Sequence, residues 1–249
     1  MKLRKTIIVI AAFAIGVTIQ TAKAAFVSLG TGAGDSVTLA DLEATGGNTY
    51  GLTIGDKTFS NFSSTRVNQF DGNGDPNNIY VAVSHVGTSY FLTWSGDVAE
   101  ALDSTGLGVS ADLKLGYSVT ATGGEIYAID QNYTGGSSGT GITTLSVAEN
   151  IIKPGTTTVV AHSLLNDTIL STSYSDAGAI LHPGLSSVDV TKDIHLGALG
   201  LGADVDISVV EQSFEQIAVP EPTTVIAGIL LLLPLGVSTL RILRRNRIA

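Results

Sequence analysis

The sequence predicts an all-β protein, a single antiparallel β-sandwich of jelly-roll character flanked by an N-terminal signal peptide and a C-terminal transmembrane helix. Three observations carry this. Apolar residues recur at every second position in run after run, glycine and asparagine punctuate the runs, and helical periodicity is confined to short stretches. The chain has 249 residues, 29 of them glycine, with no cysteine and only 14% charged side chains. Less its two ends, that length suits one domain able to bury a core without cross-links.

Each element follows from its own pattern. Leu113, Leu115, Tyr117, Val119 and Ala121 alternate with Asp112, Lys114, Ser118 and Thr120. Val188, Val190, Ile194 and Leu196 alternate with Asp189, Thr191, Asp193 and His195, and Val205, Ile207 and Val209 with Asp204, Asp206 and Ser208. Such alternation sets one strand face in a core and the other in water. Further strands are expected over 36–40, 57–62, 79–86, 89–94, 125–133, 142–151, 157–164 and 168–174, where Thr, Val, Ile and Tyr dominate. Turns are expected at Gly46-Gly47-Asn48, Gly72-Asn73-Gly74 and Gly123-Gly124, and a loop over 135–141. Short helices are expected only over 39–44 and 97–102. No fixed-period repeat is present, which argues against a propeller or solenoid.

The two ends read as targeting segments. Residues 1–24 begin with Lys2, Arg4 and Lys5, continue through an apolar run over 7–19, and close on Ala22 and Ala24 at the −3 and −1 positions of a cleavage site. Residues 220–249 hold Pro220, Glu221 and Pro222, an uncharged apolar stretch over 223–240, then Arg241, Arg244, Arg245 and Arg247. Eighteen helical residues rise about 27 Å, close to the hydrocarbon thickness of a bilayer. The arginine cluster belongs on the cytoplasmic side, leaving residues 25–219 across the membrane. The two prolines favour an extended backbone that a processing enzyme can grip.

This tripartite end resembles the PEP-CTERM sorting signal of Gram-negative bacteria. The resemblance implies an exosortase as partner, a membrane-embedded cysteine peptidase or transpeptidase that removes the tail. It implies an inner-membrane intermediate on the way to the cell surface or the extracellular space. A permanent single-span anchor is the competing reading. Within the domain, 53–62, 190–194 and Gln212-Ser213-Phe214 are similar to segments of PEP-CTERM surface proteins, to which no activity is attached.

Between Ala25 and Val219 lie five cations and 21 acids, a net charge of −16 against −9 for the whole chain. No basic patch exists to neutralise phosphates, so nucleic acid is not an expected partner. Absent cysteine excludes thiolate metal sites, disulfides and cysteine nucleophiles. The four histidines, His85, His162, His182 and His195, are scattered, and no nucleophile elbow or phosphate-cradling loop is found. No residue-level feature nominates an enzyme.

Two local features invite a ligand. Asp71, Asn73 and Asp75, in Asp71-Gly72-Asn73-Gly74-Asp75-Pro76-Asn77-Asn78, space oxygen donors as calcium ligands are spaced. An EF-hand is excluded, because Pro76 occupies the required glycine position and Ala82 replaces the bidentate glutamate. The competing reading is a hairpin loop whose side chains cap its own backbone. No other cofactor is suggested. Tyr90, Phe91 and Trp94 form an aromatic cluster that can stack on sugars or pack in the core. The expected role is non-enzymatic, structural or adhesive, tied to exopolysaccharide or biofilm; the alternative is a carbohydrate-binding module, with or without calcium.

Overall fold

The computed structural model describes residues 25–218 apart from 45, 47, 69–72 and 168–172. In chain order these form β1 (Phe26–Gly30), β2 (Ser36–Thr38), α1 (Leu39–Glu43), β3 (Thr49–Ile54), β4 (Lys57–Val67), β5 (Ile79–Val86) and β6 (Ser89–Asp103). There follow β7 (Val109–Ala121), β8 (Gly124–Ser138), β9 (Ile142–Ile152), β10 (Val159–Asp167), β11 (Ser173–Leu185), β12 (Ser187–Leu199) and β13 (Ala203–Ala218). Seven strands make one sheet in the order β1-β3-β4-β7-β12-β9-β10, and six make the other in the order β11-β8-β13-β6-β5-β2. Neighbours run antiparallel except β1 and β3, which are parallel.

The alternation predicted from sequence decides how the sheets meet. Leu113, Leu115, Tyr117 and Val119 of β7 face inward, as do Val188, Val190, Ile194 and Leu196 of β12, and both sets join one hydrophobic cluster. From the other sheet come Leu92 and Trp94 of β6 and Val210 and Phe214 of β13. Rings bridge the layers: Trp94 lies 5.2 Å from Tyr117, and Phe59 of β4 meets Phe214 edge-on at 5.4 Å. The two sheets are therefore a sandwich packed face to face.

Several boundaries differ from the sequence reading. The helix expected over 97–102 is strand: Ala99, Ala101 and Asp103 are buried in alternation with Glu100 and Leu102, paired along β13. Alanine, glutamate and leucine favour helix, but a preference of tenths of a kcal/mol per residue yields to pairing and burial. The loop expected over 135–141 begins later, because Gly135 and Gly136 continue β8 against Ile207 and Asp206. The other helix forms as α1, with Thr38 Oγ1 accepting from the Asp41 backbone N–H as N-cap. The strand expected over 168–174 begins at Ser173 where it is described.

One carboxylate ties two turns at the end of the sandwich. Asp103 accepts from the backbone N–H groups of Thr105, Gly106 and Gly108 at 3.0, 2.7 and 2.9 Å, and from Gly200 at 2.9 Å. The Thr105 hydroxyl adds a further bond at 3.0 Å. The N–H of Gly200, then those around 105–108, hold the carboxyl well below its ordinary range. The β6–β7 and β12–β13 connections are thereby fixed to one side chain.

Candidate functional site

Among the described residues, three of the places that bring polar side chains together bear on a site, and the sequence proposed ligands at the first of them. That one is the loop before β5. Asn73 Nδ2 donates to Glu100 Oε2 at 2.6 Å, and Gly74 N–H donates to the Asp97 carbonyl. Asp75 Oδ1 accepts from the backbone and side-chain nitrogens of Asn77 at 2.9 and 2.8 Å, while its other oxygen lies 3.4 Å from Arg66. The Asn77 bonds, with Arg66 assisting, draw the Asp75 carboxyl below its usual range. Asn73 also lines an acidic cleft of about 360 Å³ with Asp97, Glu100, Asp204 and Asp206. Burial, then Asp204, pushes the Asp206 carboxyl up. Asp71 lies outside the described residues. Among those described, no three acidic or histidine side chains converge as metal ligands.

The other expected site residues, Ala22, Ala24, Pro220, Glu221, Pro222, Arg241, Arg244, Arg245 and Arg247, also lie outside the described residues, as does the apolar stretch over 223–240. Among the described residues no helix is long and apolar enough to cross a membrane.

The aromatic cluster divides. Trp94 is fully buried between the sheets and offers no sugar platform. Tyr90 is engaged by its neighbours, with Lys57 Nζ 4.1 Å from its ring centroid and the His85 ring stacked at 5.9 Å. Phe91 alone points to the outer face of the six-stranded sheet, half-buried.

That outer face is ordered by register. Ser84, Phe91, Ser213 and Asp130 lie in one row across β5, β6, β13 and β8, and Ala82, Thr93, Glu211 and Asn132 in the next. Tyr80 extends from the same face of β5 and is 49% exposed. Tyr127 donates its hydroxyl proton to Glu215 at 2.5 Å beside the first row, and Ser213 Oγ donates to Asp130 at 3.3 Å. The face combines an aromatic ring with hydroxyl, amide and carboxylate groups on strands, which hold them in fixed relation.

The second place is the end of the sandwich under Tyr90. Lys57, fully buried, donates to Asp56 at 2.8 Å and to Gln216 Oε1. Gln216 Nε2 and the Gly123 N–H donate to the other Asp56 oxygen at 2.7 and 2.9 Å. Partial burial opposes ionisation of Asp56, but the bonds from Lys57, Gln216 and Gly123 outweigh it and lower the carboxyl to about 2. Gly55 turns the chain here with φ +57, and a Cβ on it would sit 2.9 Å from the Tyr90 ring.

The third place is the centre of the core, and the sequence reading passed over it. Lys192 of β12 donates to Glu149 of β9 at 2.6 Å and to Gln131 Oε1 of β8 at 2.8 Å. Gln131 Nε2 donates to Ser163 Oγ at 2.7 Å and to the Val147 carbonyl at 3.2 Å. Gln212 of β13 donates to Glu149 Oε1 at 3.2 Å and to the Asp130 carbonyl at 2.8 Å. Lys192, Glu149, Gln131 and Gln212 are each at most 1% exposed. Burial pushes the Lys192 ammonium below its ordinary value, against the pull of Glu149. Tyr117 is raised well above its ordinary value by burial and then by Glu149. The signal was in the pattern: Lys192 falls on the inward parity of Val188, Val190, Ile194 and Leu196, where an apolar residue belongs.

No family model and no curated protein matches the chain. Among solved structures, the carbohydrate-binding module TmCBM61 in complex with β-1,4-galactotriose is 9% identical with a TM-score of 0.29, over 61% of this chain and 87% of that one. A promiscuous carbohydrate-binding module of the β-sandwich superfamily is 11% identical with a TM-score of 0.29, over 63% and 56%. The enzymatically active domain of bacteriophage CBA120 tailspike protein 4 is 12% identical with a TM-score of 0.27, over 61% and 19%. Likeness this loose carries nothing about ligand or mechanism.

Two outcomes follow. Lys192→Ala leaves Glu149 buried and unpaired, and Glu149→Ala strands the ammonium; each should cost about 3–5 kcal/mol, read from urea midpoints. Asp56 has a folded value of about 2, below its ordinary 3.8, so its contribution is complete above that ordinary value and is lost as pH falls toward 2. Urea midpoints of wild type and Asp56→Asn should differ by a constant amount from pH 5 to 7 and converge between pH 4 and 2.

Proposed function

We propose that this chain is an exported, non-catalytic surface or matrix protein that binds an uncharged polysaccharide along the outer face of its six-stranded sheet. The observation that carries the reading is the register-matched row of Ser84, Phe91, Ser213 and Asp130, backed by Ala82, Thr93, Glu211 and Asn132. An aromatic ring offers its face to the C–H groups of a sugar, and flanking hydroxyl, amide and carboxylate groups take its hydroxyls. Rows on a sheet repeat about every 7 Å along the strands, and the strands about every 4.8 Å across, so an extended chain meets similar groups along its length. Net charge selects the polymer. With −16 on residues 25–219 and Asp130, Glu211 and Glu215 on this face, anionic polymers are repelled and neutral ones are not.

The route outward is the PEP-CTERM one: signal-peptide cleavage after Ala24, a membrane intermediate held by 223–240, and exosortase processing at Pro220-Glu221-Pro222. What supports it is the order of those parts in the sequence. A jelly-roll character for the sandwich belongs to the same reading.

Affinity electrophoresis in gels containing β-glucan, galactan, xylan or mannan tests the binding face. At least one polymer should retard the protein, and Phe91→Ala should weaken that retention about tenfold, equal to roughly 1.4 kcal/mol. Thr191→Ala, exposed on the other sheet, should leave it unchanged. No retardation in any gel, or equal retention by Phe91→Ala, overturns the face. The route is tested separately by terminal sequencing of protein recovered outside the producing cell. It should begin near Ala25 and end before residue 223; a chain retaining 223–249 overturns exosortase processing.

A further inference from the structure

We propose that Lys192 and Gln131 are joined by a self-catalysed isopeptide bond between the two sheets, formed with loss of ammonia and assisted by Glu149. The three groups a transamidation needs already touch: an amine at 2.8 Å from the carboxamide oxygen, and a carboxylate at 2.6 Å from the amine. All three side chains are buried, so water is kept from competing for the amide carbon. The carboxamide is held on its far side, where its nitrogen donates to Ser163 Oγ and to the Val147 carbonyl. Its carbon lies one bond of about 1.23 Å from the oxygen that Lys192 already contacts. Attack requires the nitrogen to pass from that oxygen to a pose over the carbon, at the roughly 3–3.5 Å of a near-attack conformer.

The steps balance without an oxidant or any outside reactant. The Lys192 ammonium passes a proton to the Glu149 carboxylate, leaving a neutral amine and a carboxylic acid. The Nζ lone pair attacks Gln131 Cδ, and the Nζ–Cδ bond forms while the C=O π pair moves onto Oε1. Glu149 gives its proton to Nε2 and takes one from Nζ. The C=O bond re-forms as the Cδ–Nε2 bond breaks, and ammonia departs. The products are a secondary amide, ammonia and a neutral Glu149. Burial already disfavours the charged form of Lys192, which helps the first transfer. The reaction also removes both charges of a buried ion pair and so relieves their desolvation cost.

A second lysine, acid and glutamine meet at Lys57, Asp56 and Gln216, but Asp56 there is 20% exposed and the site opens to a shallow cavity lined by Thr88 and Tyr90. Water reaches that acid, so the sealed triad at the core is the one assigned.

Intact-mass spectrometry of the full chain, folded and purified, tests this. The wild type should weigh one ammonia less than its sequenced termini require, and digestion should yield a branched peptide joining Lys192 to Gln131. Lys192→Met and Glu149→Gln should show the full mass; if either fails to fold, the wild-type mass still decides. An undiminished wild-type mass overturns the proposal. So does a deficit of one water, which would join Lys192 to Glu149, or an ammonia deficit that maps to Lys57 and Gln216. A deficit that persists in folded Glu149→Gln overturns the role of Glu149.

Discussion

Closing two sheets on one another costs free energy for every polar group caught between them without a partner, and here the charges that would cost most are met by the Lys192–Glu149 pair. Register alone places them side by side on β12 and β9, while Gln131 and Gln212, opposite each other on β8 and β13, reach across from the other sheet. Slipping β12 by one residue would turn Lys192 outward and carry Asp193 into the core with no cation to meet it. The pair therefore penalises wrong alignments more than it stabilises the right one, since a buried ion pair gains little over well-packed apolar side chains. Some cost is left: Trp94 Nε1, Tyr117 Oη and Gln212 Oε1 are buried with no hydrogen-bond partner among the described residues.

Fixing the inner faces fixes the outer ones. Gln131 and Gln212 point inward, so Asp130, Asn132, Glu211 and Ser213 must point outward on the same strands. Leu92 and Trp94 in the core likewise present Phe91 and Thr93 to the surface. The outer face of the six-stranded sheet is thus positioned by its core rather than by loops, which suits recognition of a long, regular polymer. At the ends, Asp56 and Asp103 bind turns from several strands through backbone N–H groups, so the connections are held without covalent ties.

Period-two patterning made most strands legible, because burying one face of a sheet leaves a regular trace. The residues of greatest interest left a subtler one. Lys192 was a gap in an otherwise apolar series, and Glu149 and Gln131 interrupt similar series in β9 and β8. Read as interruptions they look like tolerance; only three-dimensional proximity shows that they meet. Trp94 shares the inward parity of Leu92, so its burial was readable from the strand, whereas the capture of Tyr90 between Lys57 and His85 depends on neighbours distant in sequence. Residues 97–102 show the opposite case, where local preference spoke clearly and pairing with β13 overruled it.

On the export route proposed above, a chain without cysteine does without the disulfide cross-links on which small secreted domains rely. Long strands answer part of that need, since β6, β8 and β13 run 15, 15 and 16 residues and keep many backbone groups paired. Clasping carboxylates answer another part by tying turns that would otherwise fray and open to proteases. Neither resists separation of the two sheets, which apolar packing opposes together with the hydrogen bonds that Gln131 and Gln212 make across the core. A covalent amide between β12 and β8 would act at that interface. It would tie residues 61 apart in sequence and restrict the unfolded chain as a disulfide does, while being immune to reduction. The same burial that makes a charged lysine costly in the core makes an amide there durable, because the water needed to hydrolyse it is excluded.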